Sequence, residues 1–291
     1  MAQSPGPREL RFAINGMNFA AQEWGDSTQL PVLALHGWLD NAASFFALAP
    51  RLNNLHIVAV DMAGHGQSDR RPGQMAYTPL DDINDILAIA DYLGWDRFAL
   101  LGHSRGAIIG TLAAGAFPER FIALGLIEGL LPEPARPEDA PKQLASAIQG
   151  LRVQQQKTPS VYPDINIAIK ARERGLFPLG HEAAKALTER GVIAQAGDGV
   201  SWSTDPRLLA PSMLKLSREH LHAFVNHVSA PIKLLLADEG LPKLYVNYLQ
   251  EVEQFPHVDY EVLSGGHHLH MEQEVDLVAE KLNEFFSRFI Q

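Results

Sequence analysis

The 291-residue sequence predicts an α/β fold, with a mostly parallel central sheet, helices on both faces and one inserted helical region. Three observations carry that reading. Short apolar runs recur at Val32–Leu35, Ile57–Val60, Phe98–Leu101 and Ile122–Ile127, the pattern of strands buried on both faces. Helical stretches separate several of them, which makes βαβ units. The alternation stops after Leu131 and resumes only at Ile232–Ala237.

Taken in order, Leu10–Ile14 and Met17–Trp24 flank Asn15-Gly16, the signature of a tight β-hairpin. Val32–Leu35 ends in His36-Gly37-Trp38, and Asn41–Leu52 is helical in pattern. Ile57–Val60 runs into the polar, glycine-rich loop Asp61–Ser68. Thr78-Pro79 opens a helix that continues through Leu93 and is closed by Gly94. Phe98–Leu101 leads to Gly102-His103-Ser104-Arg105-Gly106 and then to a helix that stops at Phe117-Pro118. Ile122–Ile127 ends in Glu128-Gly129. The segment Leu131–Pro141 holds four prolines, and helical, strandless sequence follows at Gln143–Gln156, Ile165–Arg174 and His181–Arg190. Gly197–Asp205 reads as a turn or a small hairpin. Helix Lys243–Phe255, strand Val258–Leu263 and a last helix Glu272–Ile290 complete the pattern. The expected division is a core of 1–131 and 219–291 with a helical cap of 132–218.

Composition narrows the function classes. With 34 acidic against 24 basic residues the net charge is −10, which argues against a nucleic-acid or anionic-membrane partner. There is no cysteine, so disulfides, thiolate metal ligands and a cysteine nucleophile are excluded. Residues 1–7 lack the basic-then-apolar pattern of a signal peptide, and no run is long enough to span a bilayer, so a cytoplasmic location is expected.

Gly102–Gly106 places a serine at the apex of a strand–turn–helix with a glycine on either side. Such a serine is a poor nucleophile unless a base takes its proton and an acid orients that base. The base is sought after the last strand, where Gly265-Gly266-His267-His268-Leu269-His270 offers three histidines. His267 is the expected base, with His268 and then His270 as alternatives. H-H-x-H also suggests metal ligands, but with no carboxylate cluster nearby and no cysteine no metal is expected. Asp61 reads as a loop-pinning carboxylate. His36, His65 and His103 read as scaffold, and His220, His222 and His227 as solvated or satisfied.

His36-Gly37-Trp38, the Asp61–Ser68 loop, Gly102–Gly106 and Gly266-His267 with Glu272 occur in an order that resembles the α/β-hydrolase superfamily, in particular its cap-bearing esterase and serine-hydrolase-like group. The resemblance implies an α/β-hydrolase fold, Ser104 as nucleophile, and an oxyanion hole from the backbone N–H groups of Trp38 and Arg105. In most relatives the acid is an aspartate past the seventh strand, and Gly240 stands at that place here. Some members carry the acid after the sixth strand, where this chain has Glu128. Glu128 is therefore the expected acid, with Asp238 and Glu239 as alternatives.

The implied activity is hydrolysis of a small carboxylic ester, with no cofactor. A haloalkane dehalogenase or epoxide hydrolase would need an aspartate in place of Ser104. A C–C bond hydrolase, lactonase, thioesterase or cofactor-free haloperoxidase would keep the same residues, and a non-catalytic binding protein is the reading from another class.

Overall fold

The structure, a computed structural model, describes residues 6–197 and 199–290. An eight-stranded sheet is formed by β1 (Arg8–Ile14), β2 (Met17–Trp24), β3 (Leu30–Leu35), β4 (Leu55–Val60), β5 (Phe98–His103), β6 (Phe121–Ile127), β10 (Ile232–Ala237) and β11 (Val258–Leu263). Its spatial order is β1-β2-β4-β3-β5-β6-β10-β11. The β1–β2 and β2–β4 pairings are antiparallel and all others parallel. The helices of this layer are α1 (Pro79–Tyr92), α2 (Arg105–Ala116), α6 (Arg218–His227), the short α7 (Leu241–Leu244) and α8 (Tyr248–Val252), and α9 (Val275–Phe286).

Period-two alternation sends each strand into two cores. Leu33 and Leu35 of β3, with Phe98 and Leu100 of β5, face the cluster built with α1, α2 and α6. Val32, Ala34, Ala99 and Leu101 face the cluster built with Phe45 and with Val278, Leu282 and Phe286 of α9. Each fully buried leucine, isoleucine or phenylalanine contributes roughly 1.5–3 kcal/mol relative to exposure. The parallel sheet is thus covered on both faces, and its carboxyl edge collects the loops that carry polar chemistry.

Between β6 and β10 lie α3 (Ala140–Gln156), β7 (Val161–Tyr162), α4 (Ile165–Glu173), α5 (His181–Gly191), β8 (Val192–Ala194) and β9 (Val200–Trp202). The expectation of a strandless insert is corrected here. The three short strands pair antiparallel in the order β7-β9-β8, and the segment expected as a turn or small hairpin supplies β9. Asp198, within that passage, lies outside the described residues. The insert has its own small core of Ile169, Leu179, Ala183, Ala184 and Leu187, closed by Met271.

Three predicted helices differ in detail. Asn41–Leu52 forms two 3-10 turns, Ala42–Phe45 and Ala49–Arg51, because Asn41 caps Ala43 N, the Asp61 carboxylate takes Ala42 N, and Pro50 has no N–H to continue a helix. Lys243–Phe255 breaks into α7 and α8 where Tyr245 turns extended. The last helix begins at Val275, since the chain before it is held in turns, and ends in a 3-10 turn at Ser287–Phe289. Thr78 caps α1 as read from the sequence, accepting from Asp81 N with Pro79 in the first turn.

Asp61 ties the two strand-end loops to the insert. It is fully buried and accepts from Ala42 N at 2.7 Å, Gln67 N at 2.8 Å and Arg190 Nε at 2.9 Å. Arg190, on α5, also donates to both Glu9 carboxylate oxygens at 2.9 Å. Removing one partner of such a pair strands a buried charge. Asp61→Ala is expected to lower the unfolding free energy by about 3–5 kcal/mol, read by urea denaturation, and a loss below ~1 kcal/mol would show that Arg190 is satisfied without it.

Candidate active site

Ser104 caps α2 with φ 51° and ψ −114°, outside the ordinary regions for a non-glycine residue. A conformation of that kind costs about 1–3 kcal/mol and persists only where the surroundings enforce it. Here the crossing of β5, α2 and the end of β3 enforces it. A Cβ on Gly106 would lie 2.1 Å from Leu35 O, and one on Gly102 would lie 2.5 Å from Ala107 Cα. The two glycines permit that approach, and Ser104 is left half-exposed at the carboxyl end of the sheet.

His267 lies in the turn-rich loop between β11 and α9, with Nε2 3.0 Å from Ser104 Oγ and Nδ1 2.8 Å from Glu128 Oε2. Glu128, directly after β6, is fully buried and has φ 52°. Its Oε1 accepts from Ala237 N at 2.7 Å and its Oε2 from Leu241 N at 2.8 Å. With three N–H donors its charge is compensated although water is excluded. A Cβ built on Gly240 would lie 2.1 Å from Glu128 Oε2. The Glu128 carboxylate therefore occupies the space that a side chain at 240 would need.

The other sequence candidates fall elsewhere. Asp238 is exposed and accepts from Gly265 N at 2.9 Å, while Glu239 is exposed and pairs with Lys243. His268 is buried with Nε2 3.1 Å from Asp40 Oδ2, and His270 meets Ser44 Oγ at 2.9 Å. Neither holds Ser104. Arg105 turns its guanidinium away from the site, to 2.6 Å from Asp82 Oδ2 on α1. Among the described residues, the Arg105 and Trp38 N–H groups have no intramolecular acceptor. Trp38 Nε1 donates to Leu208 O at 2.9 Å, fastening that loop to the insert side.

Ser104, His267 and Glu128 line a cavity of about 1110 Å³. Its walls come from both sides: Trp38 and Ile108 from the core, Tyr162, Phe177 and Trp202 from the insert. Phe177 stacks on the His267 ring with centroids 4.1 Å apart and planes 27° apart. Two further residues were missed in the sequence. Asp40 bonds His268 and takes Arg172 of α4 at 2.8 Å, and His268 and Arg172 hold its carboxyl well below the usual carboxylate range despite burial. Their partners are 228 and 132 positions away, and no local pattern announces such pairs.

Around the elbow, His36 Nε2 accepts from Met62 N at 3.0 Å while its Nδ1 donates to Gly37 O at 2.7 Å. That is the neutral tautomer. Burial pushes His36 and His65 down to about 3.

A family model described as the α/β-hydrolase fold matches residues 31–155. The chain is 30% identical to human serine hydrolase-like protein 2, covering 95% of this chain and 93% of that one. The crystal structure of a hypothetical protein from Pseudomonas aeruginosa PAO1 is 41% identical and superposes with a TM-score of 0.92 over 96% of this chain and 99% of the other. The chain belongs to the α/β-hydrolase superfamily. The thioesterase domain from the curacin biosynthetic pathway is 25% identical with a TM-score of 0.83, over 96% of this chain and all 100% of that domain. Membership in this superfamily supports hydrolase chemistry. Among the described residues no helix is long and apolar enough to cross a membrane.

The neutral histidines set an acid limit. In the unfolded chain they take a proton near 6.5, whereas folded His36 and His65 stay neutral down to about 3. The unfolded state binds more protons across that window, so stability is complete above pH 6.5 and falls as pH drops toward 3. Each group contributes up to about 1.4 kcal/mol per pH unit. Urea unfolding measured across this range should show the decline, and His65→Gln should make it shallower; an unchanged slope would remove His65 from the account.

Proposed function

We propose that the chain is a serine esterase acting on carboxylic esters through Ser104, His267 and Glu128. The observation that carries the reading is the unbroken hydrogen-bond chain from Ser104 Oγ through both His267 nitrogens to Glu128, at 3.0 and 2.8 Å. His267 Nε2 takes the Ser104 hydroxyl proton as Oγ attacks the ester carbonyl. The tetrahedral oxyanion receives the Trp38 and Arg105 N–H groups, which have no other acceptor among the described residues. His267 then protonates the leaving alkoxide, and water repeats the sequence on the acyl-enzyme. Glu128 fixes the tautomer with hydrogen on Nδ1 and stabilises the transient imidazolium. Residues 132–218 act as a cap that shapes the substrate space, with Phe177 against the base.

A thioester substrate is the second reading. The full-length likeness to a thioesterase domain favours it, and the same residues would perform it with a thiolate leaving group.

Ser104→Ala should lower kcat for ester hydrolysis by at least ~10⁴-fold with an unchanged melting temperature, and a fluorophosphonate probe should label the parent at Ser104. A folded Ser104→Ala protein with full activity would refute the assignment. An unlabelled, inactive parent would favour a binding protein. A panel of acyl esters and thioesters graded by chain length separates the two substrate readings.

The acid has its own test. Gly240→Ala places a methyl 2.1 Å from Glu128 Oε2, and displacing that carboxylate by an ångström is expected to cost ~10²-fold in kcat/KM. Glu128→Gly combined with Gly240→Asp vacates one position and fills the other. It should exceed either single variant, whereas strict additivity would show that the two positions do not share one role.

A further inference from the structure

We propose that Asp40, His103 and His268 form a zinc-type metal site beside Ser104, and that its occupancy inhibits hydrolysis. Asp40 Oδ2 lies 3.1 Å from His268 Nε2 and 3.8 Å from His103 Nδ1. The three ligand atoms all fall within 4.8 Å of one another, and all three residues are buried. Zinc stands about 2.0–2.1 Å from imidazole nitrogen and about 2.0–2.2 Å from carboxylate oxygen. An ion between His103 Nδ1 and Asp40 Oδ2 therefore fits their 3.8 Å separation with little movement.

The decisive group is His103. Its Nε2 lies 2.9 Å from the His267 carbonyl, which can only accept, so that nitrogen carries the hydrogen. Nδ1 is then a bare lone pair without a hydrogen-bond donor among the described residues, facing a carboxylate oxygen. Two acceptors face each other, and a cation resolves that conflict. A ring whose second N–H is fixed by a backbone carbonyl is the usual state of a ligating histidine. His268 now donates from Nε2 to Asp40, and its Nδ1 has no partner among the described residues. Moving that proton off Nε2 frees it as a ligand. All three residues line the substrate cavity, which supplies the entry path and room for a water as fourth ligand.

Arg172 competes. Its guanidinium holds Asp40 Oδ1 at 2.8 Å, and its charge opposes the ion. The coupling to catalysis is short, because His103 precedes Ser104 and binds the carbonyl of His267. A metal that draws His103 and His268 toward Asp40 shifts the base. Only the inhibitory half rests on the esterase reading.

The test measures zinc binding by calorimetry, and the visible absorption of bound cobalt(II), on the folded Ser104→Ala protein, where activity is irrelevant. One equivalent should bind, and adding His268→Gln should weaken it more than about tenfold. Arg172→Gln should strengthen it, an opposite shift that general loosening would not produce. Absent binding, or affinities unaffected by His268→Gln, would overturn the site. With Ser104 retained, zinc should inhibit ester hydrolysis of the parent, less in His268→Gln and more in Arg172→Gln. Binding without inhibition would overturn the inhibitory half, and a parent without esterase activity would count against the esterase reading while the calorimetry still decides the site.

Discussion

A carboxylate cannot be buried without donors, and Glu128 is buried completely. Its two oxygens gather Ala237 N, Leu241 N and His267 Nδ1. One side chain thereby fixes the end of β10, the start of α7 and the histidine loop relative to β6. The left-handed backbone of Glu128 and that of Ser104 are tolerated because these contacts over-determine them. The empty side of Gly240 completes the arrangement.

Most of the sheet was legible because buried parallel strands leave uninterrupted apolar runs. Val32–Leu35 and Phe98–Leu101 differ from their observed bounds by two residues at one end each. Ser104 and His267 were legible from flanking glycines and chain order. Glu128 required noticing what Gly240 lacks. The 3-10 turn at Ala42–Phe45 was not legible, because it depends on the long-range acceptor Asp61. The strands of the insert are two or three residues long, too short for a period-two pattern to register.

The histidine loop shows how similar residues acquire different work. His267 meets a hydroxyl and a carboxylate, His268 a carboxylate shared with Arg172, and His270 a buried serine. Composition distinguishes none of these environments. Distance from Ser104 and the chemistry of the opposing group do, and Asp40 supplies its part from 228 positions away.

The Arg190–Asp61 and Arg172–Asp40 pairs bear on how this chain could diversify. Both arginines belong to the insert, and both aspartates belong to the loops at the carboxyl edge of the sheet. Excising the insert, or exchanging it for a homologous one without arginines at those places, would leave two buried anions without their counter-charges. The insert is thus not a freely swappable module. Recombination at this junction would succeed only where the incoming segment brings matching cations, so the two parts of the chain are constrained to evolve together.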